Sequence, residues 1–120
     1  MLKQEFEQLI SKKVSYDTYL IYENMYSSTN LSKQQFINLL NVNAIPEDPE
    51  IVNLRNAYNE DIAYADTQIE YHSNCMESWE GLTREDEFAR CEHLYHKNQI
   101  IYYRKLKKYY KSQIKSLTVF

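Results

Sequence analysis

Glycine occurs once in 120 residues and proline twice. Average usage would supply about eight glycines. Turn-rich β architectures place Gly, Asn-Gly or Pro at many tight corners, so this scarcity predicts few corners joining long helices. Cysteine is scarce too, and two residues cannot build the disulfide framework of a small secreted domain. No stretch approaches the ~18 consecutive apolar residues of a membrane span. The opening "LKQEFEQL" is amphipathic rather than apolar, so no secretory signal is expected and the chain reads as cytoplasmic. A glycine-rich phosphate loop, a nucleophile elbow and an HExxH helix are all missing. The carboxylate pairs Glu60–Asp61 and Glu85–Asp86 are adjacent on predicted helices and point to different sides. Neither an enzyme nor a cofactor is expected.

What the chain has in abundance is tyrosine, with twelve copies. Tyrosine offers a large apolar body with a hydroxyl tip, which suits half-buried helix seams and contact surfaces. The net charge of −3 predicts solubility and little else, but the charges are segregated. Residues 48–91 hold three basic and eleven acidic groups, and residues 92–120 hold seven and one.

Hydrophobic spacing and caps predict an all-α single domain over residues 1–120. A first helix over about 2–13 places Leu2, Phe6, Leu9 and Ile10 on one side. Ser15 can cap a second over about 15–27, with Val14 and Tyr19 as a hydrophobic staple. "LSKQQF" carries a capping box, Ser32 with Gln35, and a second staple, Leu31 with Phe36. The third helix then covers about 33–42 and is expected to bury Phe36, Ile37, Leu39 and Leu40. These three make an N-terminal subdomain over residues 1–44. After the linker "NAIPEDPE", Asp48 caps a long helix over about 49–80. Positions 51, 55, 58, 62, 65, 69, 72, 76 and 79 alternate in steps of four and three, and seven of the nine are apolar.

The single glycine, Gly81, falls where that helix needs a left-handed terminal residue, with Leu82 folding back on it. Thr83 then caps a returning helix over about 84–117, with Asp86 completing the box. This describes an αα-hairpin over residues 48–118. Phe88, Cys91, Tyr95, Tyr102, Leu106 and Tyr109 mark the expected inner face of the returning helix, widened by Leu94 and Ile101. Pairing position i with about 164 − i sets Glu60 and Asp61 near Arg104, Asp66 and Glu70 near Lys97, and Asp48 and Glu50 near Lys115. Two helices cannot enclose both broad stripes, so the short helices or a second copy must cover one, and a homodimer is expected.

Two chemistries compete with plain helix packing. His72, Cys75, Cys91 and His96, with His93 nearby, could supply four nitrogen and sulfur ligands to zinc across the hairpin. Small buried cysteines and ordinary histidines are the commoner reading of that pattern, so no metal is expected. For nucleic acid, Arg104, Lys108, Lys111 and Lys115 form one basic stripe able to neutralise phosphates. Lys33, Gln34, Gln35 and Asn38 on the third helix could reach base edges as in a helix-turn-helix. A DNA-binding accessory or regulatory protein is the alternative function. For a protein target, the acidic flank Glu60, Asp61, Asp66, Glu70, Glu77 and Glu80 could occupy a basic nucleic-acid channel.

The stretch "EFEQLISKKVSYDTYLIYENMY" matches an N-terminal pattern at Glu5, Phe6, Glu7, Leu9, Val14, Ser15, Tyr19, Glu23 and Tyr26. In this it resembles small proteins encoded by phages and mobile elements of Firmicutes, some of which are anti-CRISPR proteins that inhibit CRISPR effector nucleases. Members of that group often carry a glycine where this chain has Ser11. The resemblance implies a stoichiometric binder of mobile-element origin, with a CRISPR nuclease as its target.

Overall fold

The computed structural model describes residues 1–81 and 86–118. Leu82 and Thr83 of the expected corner lie outside the described residues. The fold is all-α: α1 (Lys3–Ile10), α2 (Tyr16–Ser27), α3 (Lys33–Leu39), a 3-10 turn at Val42–Ala44, α4 (Pro49–Glu80) and α5 (Glu87–Ser116). The chain forms two compact units. One comprises Met1–Arg55 with the segment from Ser116, and the other is Asn56–Lys115.

The first unit is built around Phe6, Ile10, Val14, Phe36, Ile37 and Ile45, all buried, with Tyr19, Tyr22, Tyr26, Leu31 and Leu40 packed against them. Its helices start where their caps dictate. The Ser15 hydroxyl accepts from Thr18 N–H at 3.3 Å. The Ser32–Gln35 box closes in both directions, at 3.2 and 2.9 Å. Asp48 accepts from Glu50 N–H at 3.0 Å. The ends depart from expectation. α1 stops at Ile10 because Ser11 turns left-handed, with φ 55°, and both Leu2, at the other end, and Leu9 are exposed. α3 stops at Leu39 as Leu40 becomes extended, and Leu39 is 74% exposed rather than buried.

Nearly every matched residue of the N-terminal pattern has work inside this unit. Buried Glu7 accepts from Val14 N–H at 2.9 Å, tying the end of α1 to the start of α2. The Tyr19 hydroxyl donates to the Met1 carbonyl. Glu23 receives the Met1 amino group at 3.0 Å. Tyr26 meets Phe36 edge-on at 5.3 Å between ring centres. Lys12 donates to the carbonyls of Val42 and Ile45 at 2.8 and 2.7 Å, so its charge fastens the 3-10 turn. Arg55 forks onto Glu47 at 2.6 and 2.9 Å, which holds the Glu47 carboxyl below its usual range.

The second unit is an antiparallel hairpin of α4 and α5. The seven seam positions of α4 in this unit, from Tyr58 to Trp79, are at least partly buried, Ala65 and His72 fully so, and Ile51 and Arg55 are partly buried in the first unit. The α5 face differs from expectation by one residue. Ala89, His96 and Ile100 are buried, while Phe88, Cys91, Leu94, Tyr95, Ile101, Tyr102 and Tyr109 are exposed. Of the row expected inside, Leu106 alone is partly buried. Small residues on the contact line, Ala65 and Ala89, let the helices approach closely and push bulky rings to the flank. The register shifts as well. Tyr58 meets Tyr110 and His72 meets His96, so residue i lies opposite about 168 − i instead of 164 − i. The corner causes this: Asp86 itself caps α5, accepting from Phe88 N–H at 2.9 Å, three residues after the expected start. Gly81 lacks a positive φ and its Cβ position is open, so the glycine is not the left-handed terminus its solitude suggested.

Candidate interaction surface

Helical geometry at about 100° per residue gives the hairpin two unlike faces. Tyr64 and Tyr71 on α4 stand on one face with Phe88, Tyr95, Tyr102 and Tyr109 on α5. Three of these rings reach across to the buried row of the other helix: Tyr64 lies 6.2 Å from Tyr103, Tyr95 5.9 Å from His72, and Tyr71 6.3 Å from His96. All six rings are more than half exposed. Both rows repeat every seven residues, which makes an aromatic wall along the hairpin.

The opposite face is a groove. One depression of 370 Å³ is lined by Ser73, Met76, Glu80, His93, Lys97, Ile100, Ile101 and Arg104. A second of 360 Å³ is lined by Asp66, Ile69, Arg104, Lys107, Lys108 and Lys111. Arg104 belongs to both, so the two run together. The floor is apolar, one edge acidic and the other basic.

Between the faces, His72 and His96 are buried with their Nδ1 atoms 2.7 Å apart. One Nδ1 must donate and the other accept. The Glu92 carboxylate, 3.7 Å from His96 Nε2, favours the His96 proton on that nitrogen. His96 Nδ1 is then the acceptor and His72 Nδ1–H the donor. Burial and the facing His96 hold the His72 imidazole below its ordinary value.

The predicted site residues scatter accordingly. Of the zinc set, the structure brings only His72 and His96 together. Cys75 is partly buried, Cys91 is exposed, both are free, and no cluster of three ligands forms among the described residues. Of the acidic set, Asp66 pairs with Lys107 at 2.5 Å rather than with Lys97. Asp61 lies beside Tyr110, whose hydroxyl is pushed up by burial and then by that carboxylate. Glu60, Glu70 and Glu77 are exposed and reach no lysine or arginine among the described residues. Among the described residues, Glu60, Glu70 and Glu77 therefore do not make the charge match expected along the hairpin. Of the basic stripe, Arg104, Lys108 and Lys111 share one depression, which Lys115 does not line. The four helix-turn-helix candidates are engaged locally. Lys33 holds Glu5, Gln34 bonds Asn38 at 2.9 Å, and Gln35 closes its capping box.

The α5 half of the wall, Phe88, Tyr95, Tyr102 and Tyr109, is the row that sequence spacing places inside, whereas Tyr64 and Tyr71 lie off the expected α4 seam. Its signal was the seven-residue repeat itself, which marks a packing face without saying what packs there. Comparison with protein-family models, curated proteins and solved structures finds no match.

Proposed function

We propose that the chain is a non-catalytic interaction protein that binds and blocks a macromolecular target through the aromatic wall and its neighbouring carboxylates. The wall carries this reading. Six rings, all more than half exposed on one helical face, exceed what a solitary hairpin needs. Exposed tyrosines are the anchors that protein contacts favour. Glu60 and Asp61 border the wall and set negative charge beside it. Such a surface suits a basic channel that normally holds nucleic acid.

The N-terminal resemblance implies the target class, a CRISPR effector nuclease, and a phage or mobile-element origin. Ser11 supports the alignment behind it, because its backbone is left-handed where the resembling proteins carry glycine. The test is cleavage by a purified, guide-loaded nuclease with the chain added in increasing ratio. Stoichiometric loss of cleavage is expected, and Tyr95→Ala/Tyr102→Ala should weaken it roughly 100-fold. Unimpaired cleavage at large excess rejects that target.

Nucleic acid is the second reading, favoured by the convergence of Arg104, Lys108 and Lys111 on one depression. A gel shift at two salt concentrations decides it: retention at low salt that is lost steeply with added salt supports binding, and no shift ends it.

A further inference from the structure

The hairpin is thinly cored. Its buried apolar side chains are Ala65, Ala89 and Ile100 among the described residues, against six in the first unit, none of them alanine. Two helices cannot bury a broad stripe alone: Ile69 and Met76 line the groove and remain partly open, and Ile62 and Ile114 are partly open elsewhere on the hairpin. The groove has the build of half an interface, an apolar floor between polar edges.

From this groove we infer that its occupant is a second copy of the chain, giving an antiparallel four-helix bundle by a two-fold axis parallel to the helices. The charges select that arrangement. An axis along the helices lays α4 of one copy over α5 of the other at the same height. Acidic edge then meets basic edge twice, with Glu70 over Lys97 of the partner copy and Asp66 over its Arg104. The alternative two-fold, across the hairpin, would set acid against acid and base against base, which costs free energy at every level. A partner of any other kind would need one acidic and one basic flank at this same spacing, which the chain already has. Glu70 and Lys97 make no bridge within one chain among the described residues, so both are free to pair across. The aromatic wall faces away and stays open, so this inference does not rest on the proposed target.

Sedimentation equilibrium at sub-millimolar concentration tests it. The expected mass is twice the 14.5 kDa of one chain. Ile101→Asp, at a residue 42% exposed in one chain, should leave the helical circular dichroism intact and give monomer. Glu70→Lys should weaken dimerisation roughly tenfold, and Glu70→Lys/Lys97→Glu should restore it. A monomer throughout the range overturns the inference, as does a dimer indifferent to Ile101→Asp or a swap that fails to restore. A monomer whose Arg104 and Lys108 shift a single-stranded oligonucleotide overturns it in favour of nucleic acid. Target inhibition by monomeric Ile101→Asp would leave the proposed function standing, so the two can fail separately.

Discussion

Single residues carry the clearest differences between composition and conformation. Ser11 pays the steric cost of a left-handed backbone, about 1–2 kcal/mol for a residue with a Cβ, while Gly81 uses none of its freedom. Ser11→Gly should raise stability by about 1 kcal/mol in urea denaturation. Gly81→Ala should be neutral or stabilising by up to about 1 kcal/mol, since the new methyl meets nothing within 4 Å. Strong destabilisation by Gly81→Ala would overturn the open Cβ position and non-positive φ at Gly81. His72 supplies a pH dependence. Its folded pKa lies below the ordinary 6.5, so the unfolded chain takes up the proton first as pH falls. The contribution is complete above about 6.5 and lost as pH drops through that value towards the lowered one. Protonation of His72 adds its hydrogen at Nε2 and leaves the Nδ1–H donor in place, so the loss comes from charging a buried ring that faces His96. The urea midpoint should therefore fall from about pH 7.5 to about 5.5, and His72→Leu/His96→Leu should flatten most of that fall.

At the scale of elements, starts were legible and stops were not. Ser15, Ser32 and Asp48 announce their helices because a cap is a local hydrogen bond between a side chain and the backbone two or three residues on. Ser32→Ala and Asp86→Ala should each cost about 1 kcal/mol, read from thermal or urea unfolding. The ends of α1 and α3 depend on where Ser11 and Leu40 must go to pack Val14 and Ile45, which no local rule encodes. The α4 seam was legible at all nine positions because one row on that helix is apolar at seven of them, Arg55 and His72 being the exceptions. On α5 two rows compete: 88, 95, 102 and 109 against 89, 96, 103 and 110. Bulk favoured the first row. Close helix approach through Ala65 and Ala89 favours the second, and that information lies on the opposing helix.

For the whole molecule, the core is unevenly supplied. Phe6, Ile10, Val14, Phe36, Ile37 and Ile45 give the first unit a conventional interior, while the hairpin depends on alanines, Ile100 and a histidine pair. Amide exchange should report this. Protection in residues 56–80 and 87–115 should rise with protein concentration as copies associate, while that around Phe6 stays constant; a hairpin equally protected at every dilution would argue against association. The candidate surfaces were half legible. Sequence named the acidic and basic groups, but which of them remain unneutralised follows from a register set by Asp86. Segregation has one more consequence. α5 gathers eight lysines and arginines against two glutamates, although the chain as a whole is negative by three. An average charge would let the protein run straight through a cation exchanger at neutral pH. With its positive groups on one rod and its negative groups on the other, it should be retained by resins of either sign.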